Sequence, residues 1–252
     1  MGGRVRTVVI GVAMCVLAAC AGPEAEQARQ ESARVHYDIG IGALAENNTT
    51  KAISELQTSV QEDPQNARGF HALGVAYFRS DQNDRAIAAF RRALELNPNL
   101  LDVYNDLGVA YMRQQMWDPA IESFRKALAN PQNTNPERAY MYLGDIYYIR
   151  KQYDLAAEEF RKLQDVLPQS PDGYFLMGRT LLAQGKVAEA RDQIEQAIKI
   201  NNTIPIFHFE LGLALMREGN RAGARQSFRR VLELTSSGRE AEESRRYLRE
   251  LN

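Results

Sequence analysis

Cysteine is almost absent from this chain of 252 residues. Only Cys15 and Cys20 occur, and both lie within the first twenty positions. The rest of the chain therefore cannot form a disulfide bond or a thiolate metal site. The HExxH, GxSxG, P-loop and dinucleotide-binding patterns are missing as well. We predict that the protein is not an enzyme and that it uses no metal ion, cofactor or small-molecule substrate.

The chain also lacks an excess of charge of either sign. It carries 31 Lys and Arg residues against 32 Asp and Glu residues, and its formal net charge is −1. Basic and acidic residues are interleaved, which is typical of solvated helix faces and not of a nucleic-acid-binding surface. Hydrophobic residues make up 44% of the sequence, an ordinary value for a globular protein. The composition therefore predicts a folded protein that does not bind nucleic acid.

No apolar run near the start is long enough to be a permanent membrane anchor. The stretch from Val8 to Ala19 is shorter than the ~20 residues that a transmembrane helix needs. It follows two basic residues, Arg4 and Arg6, and it ends in small residues. This order of charge, short apolar core and small residues is that of a secretory signal peptide.

The end of this segment reads Leu-Ala-Ala-Cys over residues 17–20 and resembles the bacterial lipobox. The resemblance implies cleavage before Cys20, transfer of diacylglycerol to its thiolate, and acylation of the new amine. The residue after Cys20 is Ala21. An Asp at this position would resemble an inner-membrane retention signal, so the absence of Asp favours the outer membrane. We predict a signal peptide over residues 1–19 and a lipid-anchored protein that faces the periplasm. The alternative is a signal peptide with a chance cysteine.

Two small residues recur through the rest of the chain in one register. Successive glycines are spaced by 34, 34, 36, 34 and 34 residues, and an alanine follows each of them after twelve residues. They are Gly40, Gly74, Gly108, Gly144, Gly178 and Gly212, with Ala52, Ala86, Ala120, Ala156, Ala190 and Ala224. In the copy from Ala67 to Leu100, an aromatic residue, Leu-Gly, Tyr, Ala, Phe, Ala and Pro follow at fixed offsets. This order resembles the tetratricopeptide repeat, a helix–turn–helix unit of 34 residues.

The resemblance implies a fold built from six such repeats and a terminal helix. The small residues lie where the two helices of one repeat cross, and prolines stop the helices between repeats. We predict an all-α fold, an α-solenoid of six tetratricopeptide repeats wound as a right-handed superhelix, closed by a capping helix. The predicted segments are a lipidated tether without large apolar side chains at 20–32, repeats at 33–66, 67–100, 101–136, 137–170, 171–204 and 205–238, and the capping helix at 239–252.

The first helix of each repeat is expected to line the concave face of such a solenoid. Repeat positions 5, 9 and 12 on these helices are mostly apolar, and arginines flank them at positions 2 and 13. This pattern predicts a groove that binds a peptide or an amphipathic element of a partner. The alternative is that the repeats bury these residues among themselves. The predicted groove residues are Tyr37, Ile41, Leu44, His71, Val75, Phe78, Val109, Met112, Met141, Tyr148, Phe175, Leu182, Phe209, Leu213 and Met216.

An exported lipoprotein made of six such repeats resembles the pilotins of type IV pili, the PilF, PilW and Tgl type. The arrangement is most similar to the myxobacterial Tgl type, and the Pro-Glu-Arg entry at 136–138 resembles a loop of the Pseudomonas member. The resemblance implies binding to monomers of the outer-membrane secretin, whose membrane insertion and oligomerisation into the pilus pore it would promote, in support of pilus-dependent motility. An alternative is an outer-membrane scaffold for peptidoglycan enzymes or for β-barrel assembly.

Overall fold

The computed structural model describes residues 22–129, 133 and 135–251. Within these residues the chain forms thirteen α-helices and no strand, which confirms the predicted all-α fold. The predicted signal peptide and Cys20 lie outside the described residues. The helices are α1 (Pro23–Ala45), α2 (Thr49–Glu62), α3 (Ala67–Arg79), α4 (Asn83–Leu96), α5 (Leu101–Arg113), α6 (Trp117–Ala129), α7 (Glu137–Ile149), α8 (Tyr153–Val166), α9 (Pro171–Ala183), α10 (Val187–Ile200), α11 (Pro205–Arg217), α12 (Arg221–Leu234) and α13 (Arg239–Glu250).

Each predicted repeat contributes two helices joined by a tight turn. Side-chain oxygens of Asn66 and Asn220 accept hydrogen bonds from the backbone N–H groups of Gly69 and Gly223, and these caps fix where α3 and α12 begin. The turn between the two helices of every repeat contains one residue in the left-handed backbone region, with φ between 58° and 79°. These turn residues are Asn47, Asp81, Gln115, Lys151, Gly185 and Gly219.

The chain divides into two compact units between α5 and α6, the two helices of the third repeat. The first unit, up to Gln115, contains α1 to α5, and the second unit, from Met116, contains α6 to α13. Within each unit, helices that follow one another along the chain pack together. First helices of neighbouring repeats also touch, as α1 does with α3 and α9 with α11. Both units therefore have the nearest-neighbour packing of an α-solenoid.

The recurring glycine lets the two helices of a repeat approach closely. A Cβ atom added at Gly74 would lie 2.5 Å from Cδ1 of Phe90, a ring that is 1% exposed. The same close contact joins glycine to a large residue in four other repeats, in the pairs Gly40–Leu56, Gly144–Phe160, Gly178–Ile194 and Gly212–Phe228. The large residue fills the space that the missing side chain leaves, so each pair acts as one packing unit.

Gly74→Ala is expected to lower the free energy of unfolding by about 1–3 kcal/mol, because the added methyl group overpacks a filled core. Gly42→Ala is the matched control, since nothing lies within 4 Å of a Cβ at that exposed position in α1. The control is expected to gain about 0.5–1 kcal/mol from helix propensity. Urea denaturation of the two variants measures both changes, and equal shifts in the same direction would contradict the packing argument.

Helix α1 differs from the prediction, because it begins at Pro23 and not at residue 33. Residues 23–32 are therefore helical and are not the flexible tether that the sequence predicted. The helix starts with Pro at its first position and Glu24 and Glu26 in its first turn, and Glu26 pairs with Arg29. Strong helix formers extend α1 here although no apolar periodicity marks the segment. Neither α1 nor any other helix in the described part of the chain combines the length and apolarity needed to cross a membrane.

Candidate functional site

An apolar strip runs across the first helices of the first unit. Its side chains lie at positions 5, 9 and 12, which share one face of each helix. All are partly exposed, and the most exposed is Ile41 at 39%. Leu44 was predicted to belong to this surface, but it is 8% exposed and lies in the core. We call the remaining residues the first-unit strip: Tyr37, Ile41, His71, Val75, Phe78, Val109 and Met112.

The arginines at position 13 tie one first helix to the next. Arg79 Nη1 donates a hydrogen bond to the Leu44 carbonyl oxygen at 2.8 Å, and Arg113 Nη1 donates to the Phe78 carbonyl oxygen at 2.9 Å. In the second unit Arg217 makes the same bond to Leu182 at 3.0 Å. Each bond adds a second donor to a carbonyl oxygen in the last turn of a helix and places a positive charge at the negative end of that helix. These arginines were predicted to flank the apolar residues of the groove, and the structure shows that they also connect neighbouring repeats.

Arg113 additionally covers one face of the strip residue Phe78. The guanidinium carbon lies 3.7 Å from the centre of the Phe78 ring, which is a close cation–π contact. Arg113 also forms an ion pair with Asp81 at 2.8 Å. One residue thus fixes a helix end, a turn and an aromatic ring of the strip. The strip is consequently a preorganised surface and not a set of independent side chains.

Among the described strip residues, His71 makes a side-chain hydrogen bond to a neighbouring first helix. Its Nε2 donates a hydrogen bond to Asp106 Oδ2 at 2.8 Å, which connects α3 to α5. Both side chains are about one-quarter exposed. A partner bound to the strip therefore meets one polar point between apolar side chains.

The second unit buries more of the predicted groove residues. Phe175, Leu182 and Phe209 are 4–9% exposed and belong to the core, so the prediction that they line an open groove is corrected. Phe175 packs against Phe207, with ring centres 4.6 Å apart, and Phe209 packs against Tyr247 of the capping helix. The other predicted residues keep partly exposed side chains: Met141, Tyr148, Leu213 and Met216.

Three half-buried charged residues interrupt this part of the second unit, and the predicted set did not include them. Asp145, Arg179 and Glu210 lie on α7, α9 and α11. The Arg179 guanidinium carbon lies 5.3 Å from the Tyr148 ring centre and 5.8 Å from that of Phe175. Burial raises the pKa of Asp145 to about 6 and also raises the pKa of Glu210, although the Arg179 charge opposes both shifts. For Asp145 and Arg179, the sequence signal was the change at position 9 from Ile and Val to Asp and Arg.

Asp145→Asn is expected to stabilise the protein by about 2 kcal/mol at pH 8, because asparagine mimics the protonated side chain. The pKa of Asp145 rises on folding from 3.8 to about 6. Between these two pH values the folded chain therefore holds a proton that the unfolded chain releases. The cost of ionising Asp145 is absent below pH 3.8, grows as the pH rises and is complete above pH 6.

Urea denaturation at several pH values checks this expectation. The gain of Asp145→Asn should disappear near pH 4, and the exposed substitution Asp165→Asn on α8 should show no such pH-dependent gain. A gain of equal size at pH 4 and pH 8 would contradict the assignment to the Asp145 proton.

The arrangement offers surfaces for holding another chain. Among the described residues, no group of three or more His, Cys, Asp and Glu side chains is placed to bind a metal ion. The first-unit strip supplies apolar contact area, and the Asp145–Arg179–Glu210 cluster supplies donors and acceptors. Both sets lie on first helices of successive repeats.

Comparisons with known proteins agree with the repeat pattern. A family model described as tetratricopeptide repeat matches residues 105–173 and 175–239, and a second, described as TPR repeat, matches residues 76–115. The human DnaJ homolog subfamily C member 7 is 28% identical over 100 residues, which cover 40% of this chain and 20% of that protein. The chain thus aligns with only about a fifth of the length of this relative.

Two solved structures are similar over nearly their whole length. PilW, described as a widely conserved type IV pilus biogenesis factor, superposes with a TM-score of 0.73 at 18% identity, covering 84% of this chain and 97% of PilW. PilF from Pseudomonas aeruginosa gives a TM-score of 0.72 at 20% identity, covering 87% of this chain and 99% of PilF. At these identities the similarity shows a shared fold.

Proposed function

The chain belongs to the tetratricopeptide-repeat family, as its sequence predicted, and because such repeats form protein-binding scaffolds we propose that it is an assembly factor for a type IV pilus secretin. In this proposal it is an outer-membrane lipoprotein of the PilF, PilW and Tgl type, most similar to Tgl. Acyl and diacylglycerol groups on Cys20 hold it at the periplasmic face of the membrane. It binds the secretin monomer and promotes the insertion and oligomerisation of the pore.

The first-unit strip is the observation that carries this proposal. It offers partly exposed apolar side chains on the first helices of three successive repeats, and Arg79 and Arg113 fix the spacing of those helices. A secretin monomer must keep the apolar face of its membrane-inserting strands out of water until neighbouring subunits and lipid cover it. An apolar strip of fixed geometry suits that temporary role, since it binds an amphipathic segment and releases it when oligomerisation buries the same face.

The comparisons add support at the level of the whole chain. Both pilus proteins are matched over 97% or more of their length, so the similarity extends beyond a few shared repeats. PilW is described as a pilus biogenesis factor, and a chain of the same extent and fold is a reasonable counterpart. The predicted lipoprotein signal agrees with a partner in the outer membrane.

Crosslinking in envelope fractions tests the proposal. A photoreactive amino acid replaces Val75 in the strip in one variant and Leu155, which is 43% exposed on α8, in a control variant. The Val75 variant is expected to capture the secretin and the Leu155 variant is not. Capture of peptidoglycan hydrolases or of β-barrel assembly proteins from Val75 would instead support the scaffold alternative and would contradict a secretin-specific role.

A further inference from the structure

Three grooves of the second unit repeat one architecture, each formed between two second helices with a first helix as its floor. They lie between α6 and α8, between α8 and α10, and between α10 and α12. The last of them, which we call the terminal groove, has a volume of about 1260 Å³. Because the repeats share one backbone plan, differences between these grooves come from side chains.

The charge of the terminal groove is opposite to that of its neighbour. The α8–α10 groove is lined by four acidic and two basic side chains, whereas the terminal groove is lined by two acidic and four basic side chains. The cations of the terminal groove are Lys199, Arg225, Arg229 and Arg230. Helix α12 is also unusual as a whole, since its fourteen residues include four arginines and only one acid, Glu233. A locally basic surface thus occurs on a chain whose formal net charge is −1.

Two of these arginines have no acceptor within the described residues. Arg230 pairs with Glu233 at 2.9 Å, but neither Arg225 nor Arg229 donates a hydrogen bond or forms an ion pair there. The two residues are one helical turn apart, so their side chains leave the same face of α12. Leu211 and Leu215 of α11 provide an apolar floor between them and α10. The groove therefore combines unpaired guanidinium groups with a small apolar surface.

We propose that the terminal groove binds the phosphate groups of anionic phospholipids, which makes α12 a second membrane contact of the anchored protein. The planar guanidinium group donates two parallel hydrogen bonds to phosphate oxygens, and an arginine pair on one helix face meets neighbouring headgroups. An acidic protein segment offers similar chemistry. A membrane is favoured because the lipid proposed on Cys20 keeps this chain at a bilayer surface, and in this respect the inference rests on the proposed function.

Vesicle sedimentation tests this inference with the processed chain, residues 20–252, carrying Cys20→Ser so that no lipid anchor contributes. Binding is measured to vesicles of phosphatidylcholine alone and of phosphatidylcholine with phosphatidylglycerol, at low and at high salt. The test variant is Arg225→Gln with Arg229→Gln. The control is Arg91→Gln with Arg161→Gln, which removes the same charge from exposed residues that occupy the place of Arg229 in the second and fourth repeats.

The chain that carries Cys20→Ser and no arginine substitution is expected to bind the vesicles that contain phosphatidylglycerol at low salt and to dissociate from them at high salt. Each basic side chain near an anionic surface contributes roughly fivefold in affinity, so the test variant should bind about 30-fold more weakly, whereas the control should stay within about twofold. Equal binding to both vesicle types, equal losses in the two variants, or equally tight binding of inorganic phosphate alone would overturn the inference. No secretin is present, so this result is independent of crosslinking from Val75.

Discussion

A chain with Phe78→Glu and Met112→Glu is expected to lose secretin binding by about 1000-fold while it remains folded. Burial of a Phe or Met side chain contributes about 1.5–3 kcal/mol, and the charge introduced at Met112 would in addition be buried in the interface without a partner. Two such losses amount to about 4 kcal/mol, which corresponds to the expected factor. Affinity of the purified chain for the secretin in detergent measures the change.

The folded state should tolerate both substitutions, because both residues are only partly buried. A glutamate at position 78 also lies within reach of Arg113, so an ion pair replaces the present contact of Arg113 with the ring. Circular dichroism during thermal unfolding checks this point. The matched control is Leu155→Glu, which places one new charge on an exposed apolar site outside the strip and should leave binding unchanged. Full binding by the folded double variant would remove the strip from the proposal.

Cys20→Ala is expected to remove the protein from the outer-membrane fraction and to reduce heat-stable secretin oligomers at least tenfold. Several acyl chains on one residue anchor a protein far more firmly than one, since each buried methylene contributes about 0.8 kcal/mol. Without them, the strip is no longer concentrated at the surface where the secretin inserts. Fractionation and immunoblotting of unboiled envelope samples measure both effects.

Cys15→Ala is the control for this prediction. Cys15 lies inside the predicted signal peptide and is removed with it, so its loss should alter neither fractionation nor secretin oligomers. Normal amounts of heat-stable oligomers in the Cys20→Ala strain would show that anchoring is not needed for assembly. A Cys20→Ala protein that has lost its signal peptide and still stays in the outer membrane would instead contradict lipidation at this residue.

The fold was predictable because its determinants are local and repeated. Gly74 and Phe90 are sixteen residues apart, and the same pair of a small and a large residue recurs along the chain, so a single register predicts the helix pairs. The predicted start of helix α1 lies ten residues after the observed one. The prediction relied on the spacing of apolar residues, whereas residues 23–32 are helical because of their helix propensity and their charges. Periodicity detects packed helices and overlooks those whose exposed turns are stabilised locally.

The candidate surface was less predictable, since its exposure depends on contacts between distant residues. Phe209 holds the same repeat position as His71, yet it packs against Tyr247 of the capping helix and is buried, whereas His71 meets Asp106 of α5 and stays partly exposed. Arg113 was assigned to a basic rim, but its bond to Phe78 becomes visible only when two repeats are placed side by side. The raised pKa of Asp145 likewise results from burial, which residue type alone does not report.

The first compact unit ends at Gln115, inside the third repeat, so the first 115 residues of the chain contain all the helices of that unit. N-terminal segments become available first during synthesis, and contacts between helices that are adjacent in sequence form quickly. The complete first-unit strip lies on α1, α3 and α5, all within this segment. The surface that we assign to the partner thus lies in the part of the chain that is made and exported first, so recognition does not have to wait until the last three repeats have folded.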